Sequence, residues 1–256
     1  NRLRIAINTG GGDAPGLNAV IRAAVVSGLH QGWDVFGIEH GYHGLLDGKG
    51  FVRLSHESVR GITHQGGSIL GTTNKGDPFA YPVQQGDGTV VEKDVSDRIV
   101  QAFSDAGIDA LIAIGGDGSL RIANKFAAKG LKIVGVPKTI DNDLMHTVIT
   151  FGFDTAVSVA TDALDRLHST AEAHDRVMVV ELMGRYAGWI ALNAGVSATA
   201  DAILIPEIPF DIDAVCRKVR SRELQGRRFS IVVVAEGAKP AGGDMLFRGD
   251  KQAGRE

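Results

Sequence analysis

Short apolar runs alternate with helical stretches along almost the whole chain, and every glycine-rich motif falls at the end of such a run. Leu3 to Asn8 reads as a first strand, followed by Thr9-Gly10-Gly11-Gly12-Asp13-Ala14-Pro15-Gly16 and a helix from Leu17 to Leu29. Further strands are expected at Asp34–Glu39, Leu111–Ile114, Lys132–Val136, Arg176–Leu182, Ala202–Ile205 and Phe229–Ala235. Helices are expected at Val95–Ala106, Ser119–Lys129, Thr155–Ala173 and Ile212–Leu224, with a shorter one capped by Ser55 and ending near Gly66-Gly67. This alternation is the signature of α/β folds with parallel, doubly wound sheets. Ligands in such sheets bind at the carboxyl ends of the strands. The 34 glycines are not in repeats, and where they cluster the backbone can approach a ligand closely.

The expected architecture is two similar doubly wound domains, 1–137 and 138–256, with mainly parallel sheets and an active site in the cleft between them. Residues 72–93 lack periodicity and are expected to form a long excursion. The tail, Gly237 to Glu256, is polar and glycine-rich, without a core pattern. At 44% hydrophobic and 22% charged, the chain has ordinary globular composition. A net charge of −3 gives no general reason to expect nucleic acid or an anionic membrane as partner. No apolar run approaches a membrane-spanning length. The lone Cys216 cannot pair internally, fits a reducing cytoplasm, and is expected to be a buried small hydrophobe.

Two strand ends carry the chemistry. Gly115-Gly116-Asp117-Gly118-Ser119 offers Asp117 to a Mg²⁺, bare backbone at Gly118 to a phosphate, and Ser119 as a helix cap. The alternative is a turn in which Asp117 and Ser119 only cap. Pro137-Lys138-Thr139-Ile140-Asp141-Asn142-Asp143 places a cation and two carboxylates after a buried strand. In an extended segment, Asp141 and Asp143 would point the same way and flank one metal–phosphate group. A turn with Asx hydrogen bonds is the simpler alternative. Together these loops suit phosphoryl transfer, which needs a carboxylate to take the hydroxyl proton and charge compensation around the transferred group. Gly10-Gly11-Gly12-Asp13 could add phosphate contacts from backbone N–H groups and a helix dipole. It is neither a Walker loop nor a dinucleotide fingerprint. Met183-Gly184-Arg185 follows another strand, and Arg185 could fork onto a phosphate. Glu236 closes the last strand and could accept sugar hydroxyls. The histidines show no metal-ligand spacing, so zinc is not expected.

With these loops in place the chain resembles the phosphofructokinase family over almost its whole length, with motifs matched in order and spacing at Gly11–Gly16, Gly115–Ser119, Thr139–Asp143, Met183–Arg185 and Glu236. The resemblance implies transfer of phosphate from ATP or pyrophosphate to the primary hydroxyl of fructose 6-phosphate, with Mg²⁺. It implies Asp141 as general base and Asp117 as the metal-associated acid, with Lys138 and Gly118 in the catalytic loops. Gly12, Gly118, Ser119 and Lys75 fall on the donor side, and Thr139 and Asp143 around the transferred group. Met183, Gly184, Arg185 and Glu236 are implied as sugar-phosphate ligands. Arg176 is similar to an arginine that reaches a neighbouring subunit, implying a homodimer or homotetramer. Gly118 stands where pyrophosphate enzymes of the family carry a second aspartate, which favours ATP; Lys138 resembles the pyrophosphate-type loop. Lys75 is read as replacing a donor-side arginine that Asn74 cannot. Val26, His168 and Gln225 stand where the bacterial effector site has basic residues, which argues against that regulation. A non-catalytic phosphometabolite-binding subunit is the alternative of another class.

Overall fold

The computed structural model describes residues 2–73 and 76–245. The backbone divides into two compact units, Asn1–Thr139 with Leu144–Gly152, and Ile140–Asp143 with Phe153–Glu256. The boundary expected from the sequence falls after Pro137. Lys138 and Thr139 instead stay with the first unit, because their strand runs on and pairs with Phe151 and Gly152.

The first unit contains β1 (Arg4–Thr9), α1 (Leu17–His30), β2 (Asp34–Ile38), α2 (His43–Leu46), β3 (Phe51–Leu54), β4 (Tyr81–Gln84), β5 (Val90–Lys93), α3 (Ser96–Asp105), β6 (Ala110–Gly115), α4 (Asp117–Ala128), β7 (Ile133–Thr139) and β8 (Phe151–Gly152). Among the described residues its main sheet has six strands in the order β3-β2-β1-β6-β7-β8, parallel except for the β2–β3 pair. β1 pairs with β2 on one side and β6 on the other, so the strand order reverses there, where open α/β sheets bind ligands. Alternation along β1 feeds two cores. Ile5 and Ile7 pack with Leu17, Ile21 and Val25 of α1, at helical spacing. Ala6 packs on the other face with Ile99 and Phe103 of α3 and Phe126 of α4. Each such fully buried large side chain contributes roughly 1.5–3 kcal/mol.

The second unit contains α5 (Phe153–Ala173), β9 (Val177–Leu182), α6 (Trp189–Ser197), β10 (Ala202–Leu204), α7 (Ile212–Leu224) and β11 (Ser230–Ala235). Its parallel sheet, β10-β11-β9, has three strands among the described residues, and is smaller than the first. Leu164 of α5 and Ile190, Ala191 and Ala194 of α6 cover one face, against Ile231 and Val233. No residue of α7 is buried, and Cys216 on it is exposed, against the expectation of a buried hydrophobe.

Two local expectations differ from the structure. Ser55 does not start a helix; its hydroxyl and that of Ser58 bond each other's backbone N–H, which holds a turn in place of the helical ladder. The excursion after Thr72 contains the β4–β5 hairpin, turned where Asp87 accepts from the Thr89 N–H and hydroxyl. Among the described residues no helix is long and apolar enough to cross a membrane.

Candidate active site

In the first unit the turn after β1 is stitched to its neighbours. The Gly10 N–H donates to the Ile114 carbonyl at 2.9 Å and the Gly11 N–H to the Thr73 carbonyl at 2.9 Å. The Thr72 hydroxyl donates to the Gly11 carbonyl at 2.7 Å. Two of the N–H groups expected to face a phosphate are therefore spent inside the fold. Gly12 and Gly118 are the open positions: a Cβ at either would meet no atom within 4 Å.

The β1 and β6 loops meet at Ser119. A Cβ on Gly10 would lie 2.6 Å from Ser119 Oγ, and one on Gly115 would overlap Ser119 Cβ. Ser119 is not the helix cap the sequence suggests, since α4 begins at Asp117 with Gly116 in the capping position. Its side chain instead fills the notch between the two glycine loops.

Lys138, near the end of β7, is buried, and its amine donates to the Gly12 carbonyl. Burial lowers its pKa, and the charge of Asp13 offsets part of that. Thr139 ends the strand, and its carbonyl accepts the Thr150 hydroxyl at 2.8 Å. Asp117 sits in the first turn of α4 with its carboxylate gripped by Arg121, at 2.7 Å through Nη2 and 3.2 Å through Nε. Arg121 was missed in the sequence, although spacing of four from an acid on a helix is a readable signal. Lys75 and Asn74 lie outside the described residues.

In the second unit Asp141 is half-buried, and its pKa is raised, first by burial and then by the negative charges of Asp143 and Glu236. The three carboxylates thus share one neighbourhood. The segment is not extended: Asn142 has φ 53, a left-handed conformation that asparagine tolerates, so the chain turns between Asp141 and Asp143. The same-side argument for the two aspartates fails on that bend.

The ends of β9 and β11 are tied together. The Glu236 N–H donates to the Leu182 carbonyl at 2.8 Å, and the Gly237 N–H to the Gly184 carbonyl at 3.1 Å. Gly184 N–H points at Glu236 Oε1 at 3.5 Å. Gly184 has φ 138, and a Cβ on Gly237 would overlap the Arg185 carbonyl oxygen. Gly237, expected from the sequence only to begin a polar tail, is therefore what lets the Met183-Gly184-Arg185 loop and the Glu236 strand end lie side by side. Met183 is exposed, and the Arg185 guanidinium lies 5.3 Å from the ring centroid of Tyr186.

Arg176 precedes β9, at the opposite end of the strand from Met183, and is exposed. It is not brought to the carboxylate group of its own unit. His168 Nε2 meets the Ala198 carbonyl at 2.8 Å and its ring packs edge-on against Phe229. Among the described residues no three His, Cys, Asp or Glu side chains are grouped to hold a metal. An exposed single carboxylate such as Asp117 fits only an ion that takes most of its ligands from water and phosphate, as Mg²⁺ does.

The phosphofructokinase family model matches residues 4–253. The chain is 54% identical over 244 residues to ATP-dependent 6-phosphofructokinase 2 of Clostridium perfringens, covering 95% of this chain and 66% of that protein. It is 53% identical over 251 residues to ATP-dependent 6-phosphofructokinase of Chloroflexus aggregans, covering 98% of this chain and 69% of that protein. The chain thus spans about two thirds of the length of these relatives. Its fold matches the T-state crystal structure of Pichia pastoris phosphofructokinase with TM-score 0.84 and 33% identity, over 96% of this chain and 27% of that one. On the family match and these identities, the chain belongs to the phosphofructokinase family.

Proposed function

We propose that this protein transfers the terminal phosphoryl group of ATP to the 1-hydroxyl of fructose 6-phosphate, giving fructose 1,6-bisphosphate in glycolysis. The observation that carries the mechanism is Asp141: a half-buried carboxylate whose basicity is raised by burial and by Asp143 and Glu236. A base of raised pKa holds the acceptor's proton better as the oxygen attacks phosphorus. The hydroxyl proton goes to Asp141, the new O–P bond forms, and ADP leaves. Lys138 and Thr139 end the strand that leads to Asp141, so the cation and the base are three residues apart in the chain. The Lys138 amine offsets charge on the transferred group. Gly12 and Gly118 leave room for donor phosphates, and Ser119 fills the notch between their loops. Asp117 would hold Mg²⁺, which when bound neutralises charge on the donor phosphates. Met183, Gly184, Arg185 and Glu236 take the sugar phosphate, and Asp143 stands by the transferred group.

Open backbone at Gly118 and the names of the curated relatives support ATP as donor. Arg176, remote along β9 from Arg185, serves the sugar phosphate of a neighbouring copy, so the protein works as a homo-oligomer in the cytoplasm. The test is an assay of ATP and pyrophosphate side by side on fructose 6-phosphate, with wild type and Asp141→Ala. Turnover with ATP that disappears in the variant, while ATP binding persists, is the expected result. Undiminished turnover in Asp141→Ala rejects the assignment of the base.

A further inference from the structure

We infer that Thr72 is a positioning residue for the turn after β1: its hydroxyl fixes the Gly11–Gly12 peptide and so presents the Gly12 N–H to the donor phosphates. The inference rests on the reading of that turn as part of the donor site. The Thr72 hydroxyl donates to the Gly11 carbonyl at 2.7 Å. That carbonyl and the Gly12 N–H belong to one planar trans peptide, in which the two bonds point opposite ways. Holding the carbonyl therefore directs the Gly12 N–H away from Thr72. Lys138 acts in the same way one peptide later: its amine holds the Gly12 carbonyl, so the Asp13 N–H points away from that amine. The Gly10 and Gly11 N–H groups are spent on Ile114 and Thr73, whereas neither the Gly12 nor the Asp13 N–H bonds another group among the described residues. Two successive peptides are thus oriented through their carbonyls, with their N–H groups left to an anion.

Three consecutive glycines, Gly10 to Gly12, carry no side chain to restrain this turn, and Gly11 has φ 82. Glycine loses the most conformational freedom on being fixed, so restraint has to come from another segment. Thr72 can supply it because its own backbone is anchored on both sides. The Gly71 carbonyl accepts the buried Thr9 hydroxyl at 2.7 Å, and the Thr73 carbonyl accepts the Gly11 N–H at 2.9 Å. Without the Thr72 bond, the cost of ordering the Gly11–Gly12 peptide would fall on donor binding.

Loss of one neutral hydrogen bond corresponds to a change of about two- to tenfold in affinity. The test compares Thr72→Val, Thr72→Ser and Gly12→Ala by steady-state kinetics and by titration calorimetry with ADP, with melting temperature as folding control. Thr72→Val keeps the shape and loses the hydroxyl. It is expected to raise KM for ATP and weaken ADP binding about two- to tenfold, leaving KM for fructose 6-phosphate unchanged. Thr72→Ser keeps the hydroxyl and should bind ADP as wild type does. A Ser variant as weak as Val overturns the inference. So does a Thr72→Val protein whose melting temperature falls with no change in KM for ATP, or whose KM rises equally for both substrates. Gly12→Ala tests the donor reading separately. Its methyl group meets no atom within 4 Å, so the variant should fold, and it should weaken ADP binding by standing where a phosphate approaches. If Gly12→Ala binds ADP as wild type does, the turn leaves the donor site and the inference falls with it; if Gly12→Ala weakens ADP and Thr72→Val does not, the inference alone fails.

Discussion

Lys138 and Gly12 are joined across 126 residues of chain: the amine at the end of β7 donates to the carbonyl in the turn after β1. A buried cation is thereby held against the glycine loop, at the topological switch of the first sheet.

Replacing Lys138 with Met should separate stability from activity. Burial lowers the pKa of Lys138, so across the window from that lowered value to the ordinary lysine value the unfolded chain holds a proton that the folded one lacks. Stability therefore rises with pH through that window, and Lys138→Met should flatten the rise. Turnover with ATP should fall by about 10²–10³-fold, as when one preorganised stabiliser of developing charge is removed. Thermal melts across alkaline pH and steady-state kinetics check both.

The Asp141 carboxylate should set the acid limb of the kcat/KM profile, above the ordinary aspartate range. Asp143→Asn or Glu236→Gln removes a negative neighbour and should move that limb to lower pH. The stability sign is opposite to that for Lys138. Between the ordinary and the raised pKa the folded form keeps a proton that the unfolded one has lost, so stability falls as pH rises. Asp141→Asn should remove that slope while lowering kcat by about 10²–10⁴-fold.

Gly118→Asp should fold and fail. The new side chain meets open space, so its melting temperature should stay close to wild type. Its carboxylate would repel the donor phosphates, so kcat/KM with ATP should fall by at least about tenfold, equivalent to about 1.4 kcal/mol. Unchanged ATP kinetics would remove Gly118 from the donor site.

Gly115→Ala should destabilise by about 1–3 kcal/mol, because its methyl group overlaps the Ser119 side chain. Adding Ser119→Gly should recover part of the loss, since the two changes meet at one notch. Denaturant melts of the single and double variants measure the coupling, and simple additivity would show that Ser119 is not the obstacle.

Arg222 and Asp201 form an ion pair at 2.7 Å, with side chains 13% and 12% exposed. Arg222 also donates to Ser230 Oγ and the Phe229 carbonyl, and Asp201 accepts from the Ile231 N–H. Arg222→Leu leaves Asp201 buried without that partner and should cost about 3–5 kcal/mol. Asp34→Ala, breaking the more exposed pair with Arg53, should cost at most about 1 kcal/mol.

The layout of this protein was legible in its sequence because strand and helix periodicity is local. Ile5, Ala6 and Ile7 alternate between two cores, and Leu17, Ile21 and Val25 face one of them, in patterns visible without coordinates. Glycine clusters at strand ends were likewise readable, since backbone that approaches a ligand must shed its side chains. Contacts between distant positions were not. That Ser119 fills the space of Gly10 and Gly115, that Gly237 makes way for the Arg185 backbone, and that Glu236 raises the pKa of Asp141 all depend on sheet register and on how chain ends are tied. Even between Asp141 and Asp143 the outcome turned on one backbone angle at Asn142, which no spacing rule supplies. Local sequence set which residues could do chemistry; packing decided which of them share a neighbourhood, because proximity across a hundred residues is a property of the folded chain.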